Sequence, residues 1–493
     1  MFTVMNPLYW LGVMKYLQDF EKPSEKAREM FLSTQKRKAG RFSPWEDVAS
    51  YSQLMEANLE LAKKCTASSY LESLKYHLNE NNDFFSAMLN TMWGLKGENI
   101  WQFARRKDQV LEMAVNDYPK AIREIKSEYG FHFEQEDRYV KAGETDRFLL
   151  YQVLPWDPQV KVLENGKPVV IIPPYVLGAN ILAFLPGENK SYAHCFANQG
   201  IPTYIRIMKD IETNEAVQLM TPEDDILDTR KFCIRVMSKH RRQVTLNGFC
   251  QGGYMTTLAM LSGELDGYAD THITCVTPID GSRSVALVDY MESMPKRFQD
   301  LGYSLKILPN GIPVVDGDIL SWVFKLKSIE RDGPISTFYR DLAMFDKPGQ
   351  VPKINKTAAA INHWMLYDKT DLPQAITQAS YDSYTIPITE DGTLPVEVFG
   401  RKLNLKRFKE RGVPWLICIA EKDDLVDEAA SLAPLDWVDA EVTVFPKGHT
   451  AMATSWSAPT SECALDACFN HPSSSRSNGT CRGPVRYQLD LDS

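Results

Sequence analysis

Cys250, Asp423 and His449 stand in that order along the chain, and together they carry the residue types needed for acyl chemistry. Cys250 lies in Gly248-Phe249-Cys250-Gln251-Gly252, followed directly by Gly253. Residues 243–246 form a short apolar, β-branched run, and residues 253–261 read as a helix. A strand, a tight Gly-x-nucleophile-x-Gly turn and a helix make a nucleophile elbow. The turn crowds the backbone against its neighbours, so a Cβ at Gly248 or Gly252 would clash. It also lifts Cys250 to the edge of a sheet, at the positive end of the following helix. A thiolate and a developing oxyanion are both favoured there. A buried cysteine in a glycine-rich turn is the other reading of the pentapeptide, and context decides between them.

That context comes from two later runs, 414–420 and 441–445, which read as strands. Glu421-Lys422-Asp423-Asp424-Leu425-Val426 follows the first, and Pro446-Lys447-Gly448-His449 follows the second. Nucleophile, acid, histidine is the chain order of the α/β-hydrolase fold. A thiol with a pKa near ~8.5 is mostly protonated at neutral pH, so a neighbouring imidazole must take the proton. A carboxylate then fixes that imidazole's tautomer or activates a second substrate. A histidine after a glycine on a post-strand loop can also be structural; three strand-terminal residues in the right order favour a triad.

The elements that must position these residues alternate. Residues 148–153 and 160–162 read as strands. Residues 168–172 are wholly apolar, as expected of a strand buried on both faces of a parallel sheet. They lead into the loop Pro173-Pro174-Tyr175-Val176-Leu177-Gly178. A helix over 191–198, a strand over 203–207 and a helix over 223–240 lead to the elbow strand, and 272–280 forms the next strand and its end. This alternation predicts a doubly wound parallel sheet. Residues 281–411 break the rhythm with Trp322, Trp364 and several prolines, as a cap insertion does. Residues 1–135 carry apolar residues at three- and four-residue spacing, notably over 48–64 and 100–125, and read as a mostly helical N-terminal accessory domain. Pro23, Gly40 and Pro44 punctuate it. The expected organisation is therefore a helical domain over 1–135, an α/β-hydrolase-type domain over 136–460 with its cap at about 281–411, and a polar tail over 461–493 whose composition predicts disorder.

Composition narrows the function classes. A net charge of −9 without a long basic stripe argues against nucleic-acid binding. The 44% apolar and 24% charged content is that of a soluble globular protein. Nine cysteines without CxxC pairs or a framework spacing suit a reducing cytoplasm, with Cys233, Cys275 and Cys418 as small core residues. The apolar run 2–14 contains Asn6 and Pro7 and reads as neither a secretory signal nor a spanning helix.

The chain resembles the poly(3-hydroxyalkanoate) synthases. The shared features are the G-x-C-x-G-G elbow at Gly248-Phe249-Cys250-Gln251-Gly252-Gly253 and the Pro173-Pro174 loop. Asp423-Asp424-Leu425-Val426 resembles the family's Asp-His-(Ile/Leu)-(Val/Ala) motif, and Lys447-Gly448-His449 its Ser-Gly-His segment. Residues 363–373 echo a cap segment, and the likeness spans roughly 139–459. Asp424 replaces the family's usual histidine, leaving two adjacent carboxylates as candidates, with the motif favouring Asp423. The family's aromatic C-terminal segment has no clear counterpart past Cys463. The resemblance implies polymerisation of 3-hydroxyacyl groups from coenzyme A thioesters. Cys250 would carry the acyl group, His449 would act as base, and Asp423 would assist attack by the acceptor hydroxyl. The N–H groups of Gln251 and of the loop at Tyr175 and Val176 would hold the oxyanion. It implies no cofactor beyond the thioester substrate. It also implies a growing polyester chain and a granule surface as partners, a homodimer, and no membrane span. The alternatives are a polyester depolymerase or thioesterase with the same triad, and a noncatalytic granule-associated or partner-binding protein.

Overall fold

The computed structural model describes residues 2–321, 333–445 and 448–456. The expected tail over 461–493, Trp322, Pro446 and Lys447 lie outside the described residues. The chain divides into two compact units. One comprises Met1–Ser127, Met291–Ser304 and Asp318–Leu366; the other comprises Glu128–Tyr290, Leu305–Gly317 and Tyr367–Ser493. The interruption at 281–411 is thus shared between them. Trp364, expected with the cap, is buried in a helix assigned to the first unit.

The first unit is helical. Helix α1 (Pro7–Lys38) starts where the Asn6 side chain accepts the Leu8 N–H at 2.9 Å. Helix α2 (Pro44–Trp93) starts at a capping box formed by Ser43 and Glu46. Helices α3 (Ile100–Glu112) and α4 (Tyr118–Glu124) follow, joined by a π-helical turn. Pro23 does not end α1 as its type suggested. It removes one backbone bond, while aromatic packing holds the helix on both sides of it: Tyr16 against Phe338, and Phe31 against Phe298 and Tyr303. The core gathers Tyr9, Tyr76, Leu111 and Val115 around Phe338, Tyr339 and Phe345.

The second unit is built on an eight-stranded sheet. Its strands are β1 (Tyr139–Glu144), β2 (Phe148–Val153), β3 (Val169–Ile172), β4 (Thr203–Met208), β5 (Val244–Phe249) and β6 (Ala269–Cys275). Short ribbons follow: β7 (Leu305–Ile307), β8 (Pro313–Val315) and β9 (Leu372–Pro373), then β10 (Thr393–Val398) and β11 (Arg401–Asn404). The sheet is completed by β12 (Trp415–Ala420) and β13 (Glu441–Phe445). The order is β1-β2-β4-β3-β5-β6-β12-β13. β2 runs antiparallel to both neighbours, and every pairing from β4 to β13 is parallel. This order with one reversed strand is the α/β-hydrolase fold. Residues 160–162 are not a strand, because the Asp157 carboxylate takes the Gln159 N–H and the Asp157 carbonyl takes the Val160 N–H, closing a turn.

Burial explains the apolar runs. β3, β5 and β12 are buried at every residue, as a strand covered on both faces must be. Trp415 spends its one polar group on Thr274 Oγ1, at 2.9 Å. Helix α5 (Tyr192–Ala197) crosses from β3 to β4, α6 (Glu215–Gln218) and α7 (Pro222–His240) from β4 to β5, and α8 (Gln251–Ser262) from β5 to β6. No described helix is long and apolar enough to cross a membrane.

The glycines at the start of α8 are required by contact. A Cβ on Gly252 would lie 2.5 Å from the Ile172 carbonyl oxygen and 2.4 Å from that of Pro173. One on Gly248 would meet the Gly253 Cα at 2.4 Å, and one on Gly253 would strike Thr277. Backbone atoms cannot swing aside as a side chain can. Gly252→Ala should therefore lower the unfolding free energy by about 1–3 kcal/mol, the usual cost of overpacking, measured by urea denaturation. An unchanged midpoint would show that the strand end and helix are not held this closely.

Candidate active site

β5 ends at Phe249 and α8 begins at Gln251, so Cys250 makes the whole turn. Its backbone sits at φ 52°, ψ −123°, a conformation disfavoured by about 1–3 kcal/mol for a residue with a Cβ. Two sets of bonds hold it there. The Cys250 N–H donates to the Cys275 carbonyl at 2.8 Å, and the Cys250 carbonyl accepts from Gly253 at 2.9 Å and Tyr254 at 3.3 Å. The thiol is half-buried, unlike the fully enclosed Cys233, Cys275 and Cys418.

His449 and Asp423 arrive on the loops after β13 and β12. His449 Nδ1 lies 2.8 Å from Asp423 Oδ2, and both side chains are buried. The imidazole is also near enough to Cys250 to feel its charge. Asp423 Oδ1 accepts the N–H groups of Leu425 and Val426, each at 2.9 Å, so both oxygens of this carboxylate are engaged. Of the two adjacent acids, Asp423 is the one on the histidine, and Asp424 is exposed. Burial opposes charge on His449, but the charges of Asp423 and Cys250 outweigh it and hold its pKa well above the usual histidine value. Burial likewise pushes Asp423 up, and His449 with the two N–H donors pulls it below the ordinary carboxylate range. The carboxylate favours the charged form of the imidazole.

Two segments carry the N–H groups expected at an oxyanion. Pro173 and Pro174 carry no N–H, so Tyr175 and Val176 are the first donors after β3. Among the described residues nothing accepts the N–H of Tyr175, Val176 or Gln251. The contact of Gly252 with the carbonyls of Ile172 and Pro173 brings this loop against the first turn of α8. The side chains of Gln251 and Tyr175 are buried. The Tyr175 hydroxyl does not reach the triad and instead donates to Asp225.

One residue near Cys250 belongs to no sequence motif. Tyr384, on the helix Gln374–Thr385, packs its ring against Gly281. Burial and the charges of Cys250, Asp423 and Asp427 hold its phenol well above the ordinary range. No spacing rule marks it, because it comes from the interrupted region and reaches the site only through the fold. Arg206 also lies outside any motif, although a single arginine within an apolar strand run is a readable sign of a buried polar partner.

No protein family and no curated protein matches this chain. Among solved structures it is similar to an α/β hydrolase, GrgF, from Penicillium sp. sh18. That pair is 12% identical, covers 64% of this chain and 91% of that one, and has a TM-score of 0.34. A proline iminopeptidase from Mycobacterium smegmatis is 12% identical over 64% and 92% of the two chains, with a TM-score of 0.33. A thioesterase domain from the curacin biosynthetic pathway is 11% identical over 65% and 96%, with a TM-score of 0.31. The fold assignment rests on strand order and direction rather than on these scores.

The His449–Asp423 pair generates a pH-dependent prediction. A raised histidine pKa contributes stability that is complete below about pH 6.5 and is lost as the pH rises through the folded value. A lowered aspartate pKa contributes stability that is complete above about pH 3.9 and is lost as the pH falls through the folded value. Asp423→Asn removes both, so its stability deficit should be largest between about pH 4 and 6.5. In the same variant the His449 midpoint, followed by NMR, should fall toward or below about 6.5. A His449 midpoint unchanged in Asp423→Asn would contradict the pairing.

Proposed function

We propose that this protein is an acyltransferase that takes 3-hydroxyacyl groups from coenzyme A thioesters onto Cys250 and passes them to a hydroxyl acceptor, extending a polyester. The observation that carries this reading is a cysteine at a strained elbow apex, beside an imidazole that a buried carboxylate holds. A thiolate attacking a thioester exchanges one thioester for another, a nearly isoenergetic step. The acyl group therefore stays activated for transfer to an oxygen nucleophile. A serine would form an oxygen ester, a poorer donor to a hydroxyl. The resemblance of the elbow, the Pro173-Pro174 loop and the acid motif to poly(3-hydroxyalkanoate) synthases supports 3-hydroxyacyl groups as the substrate class.

The steps balance with the residues at hand. The Cys250 thiolate attacks the thioester carbonyl, and the N–H groups of Gln251 and Val176 take the oxyanion. The carbon–sulfur bond to coenzyme A breaks, and coenzyme A leaves with the proton from His449. Neutral His449 then removes the proton of the acceptor hydroxyl, whose oxygen attacks the acyl carbon. The Cys250–acyl bond breaks, returning the thiolate beside a protonated His449. Asp423 acts through His449 in both halves, holding its tautomer and stabilising its charge.

The test is a product balance from one reaction with 3-hydroxybutyryl coenzyme A, counting free coenzyme A, insoluble polyester and free 3-hydroxy acid. Polyester should match most of the coenzyme A released. Free acid as the main product would make water the acceptor and the protein a thioesterase. Cys250→Ala should abolish coenzyme A release while its melting temperature stays within about 4 °C, since a half-buried thiol contributes little to the core. Turnover retained in that variant would remove the covalent step.

A further inference from the structure

Pro173 and Pro174 deprive the oxyanion loop of the backbone bonds that would ordinarily tie a loop to its strand. The loop is not held by packing alone either, because a cavity of about 300 Å³ lies along it, lined by Pro173, Pro174, Tyr175 and Arg206. What holds it is a closed ring of polar groups. The Tyr175 hydroxyl donates to Asp225 Oδ2 at the start of α7, and Arg206 Nη2 on β4 donates to that hydroxyl. The ring closes through Arg206 Nη2 to Asp225 Oδ2 at 2.8 Å. Arg206 is fixed further by Thr229 Oγ1 at 2.5 Å and by the Phe148 ring, 4.0 Å from its guanidinium carbon to the ring centroid. All three members of the ring are buried. On the other side, the Val176 carbonyl accepts the Thr370 N–H at 3.4 Å.

A buried arginine–aspartate pair is no better for stability than an apolar pair of the same size, and often worse. A polar ring does impose one geometry where a greasy contact would accept several. We propose that Tyr175, Asp225 and Arg206 are positioning residues that fix the Val176 N–H at the oxyanion above Cys250. They do so by anchoring the neighbouring residue to α7 and β4 across a hollow flank. This rests on the acyl-transfer reading, because the N–H matters only if a tetrahedral oxyanion forms. The ring belongs to the scaffold side of the loop and touches no substrate.

Tyr175→Phe tests it, because Arg206 and Asp225 keep each other as partners and the fold survives. Acylation of Cys250 would be followed with 3-hydroxybutyryl coenzyme A and, in parallel, as the burst with p-nitrophenyl butyrate. The variant should lose about 10- to 100-fold in the acylation rate constant, as expected for a displaced oxyanion donor. Its KM should stay within about twofold, because ground-state binding is untouched, and its melting temperature should stay within about 4 °C. Hydrogen exchange at the Thr370 amide, which donates to the Val176 carbonyl, should quicken, an effect that a purely structural loss elsewhere would not produce. Acylation at the wild-type rate with either donor overturns the inference. Wild-type protein that is acylated by the ester and not by the thioester overturns the thioester reading, while the ester burst still decides the role of Tyr175. If neither donor acylates Cys250, both ideas fall together.

Discussion

The start of α8 against the end of β3 is the constraint on which the rest depends. Gly252 touches the carbonyls of Ile172 and Pro173, so the helix can approach the strand ends only if no Cβ intervenes. That approach gives the turn its sharpness, holds Cys250 at positive φ, and brings the Tyr175–Val176 loop beside the helix N-terminus. The disfavoured backbone at Cys250 is sustained by bonds to Cys275, Gly253 and Tyr254. Strain here is a consequence of packing elsewhere, and the site inherits its geometry from the parallel sheet.

Two buried polar systems then divide the work. One is the line from Cys250 through His449 to Asp423, where the carboxylate is saturated by His449 and two backbone donors. The other is the ring of Tyr175, Arg206 and Asp225 behind the opposite loop. The first joins the loops after β12 and β13, and the second ties the loop after β3 to β4 and α7. Asp423 has both oxygens engaged, whereas Arg206 uses its terminal nitrogens and leaves its buried Nε without a partner.

Much of this was legible in the sequence, for physical reasons. Strands buried on both faces must be apolar throughout, so β3, β5 and β12 declared themselves as short continuous runs. The elbow glycines were readable because crowding leaves no alternative residue. Asp423 and His449, which the structure brings into one hydrogen bond, were readable as a pair because both follow strands directly. What escaped depends on tertiary contacts. Pro23 looked like a break, yet aromatic packing carries α1 through it. Residues 160–162 looked β-branched enough for a strand, yet Asp157 closes a turn there. The interruption at 281–411 looked like one cap, yet its pieces are divided between two compact units. Tyr384 lies 134 positions beyond Cys250 with no motif to connect them.

The central claim is that Cys250 carries the acyl group. Rapid quenching of the protein with 3-hydroxybutyryl coenzyme A, followed by peptide mass spectrometry, examines that bond itself. The account predicts a 3-hydroxybutyryl adduct on the peptide containing Cys250, sensitive to hydroxylamine as a thioester is, with one coenzyme A released for each adduct formed. An unmodified Cys250 peptide from protein that is still releasing coenzyme A, or an adduct on another residue, would contradict it.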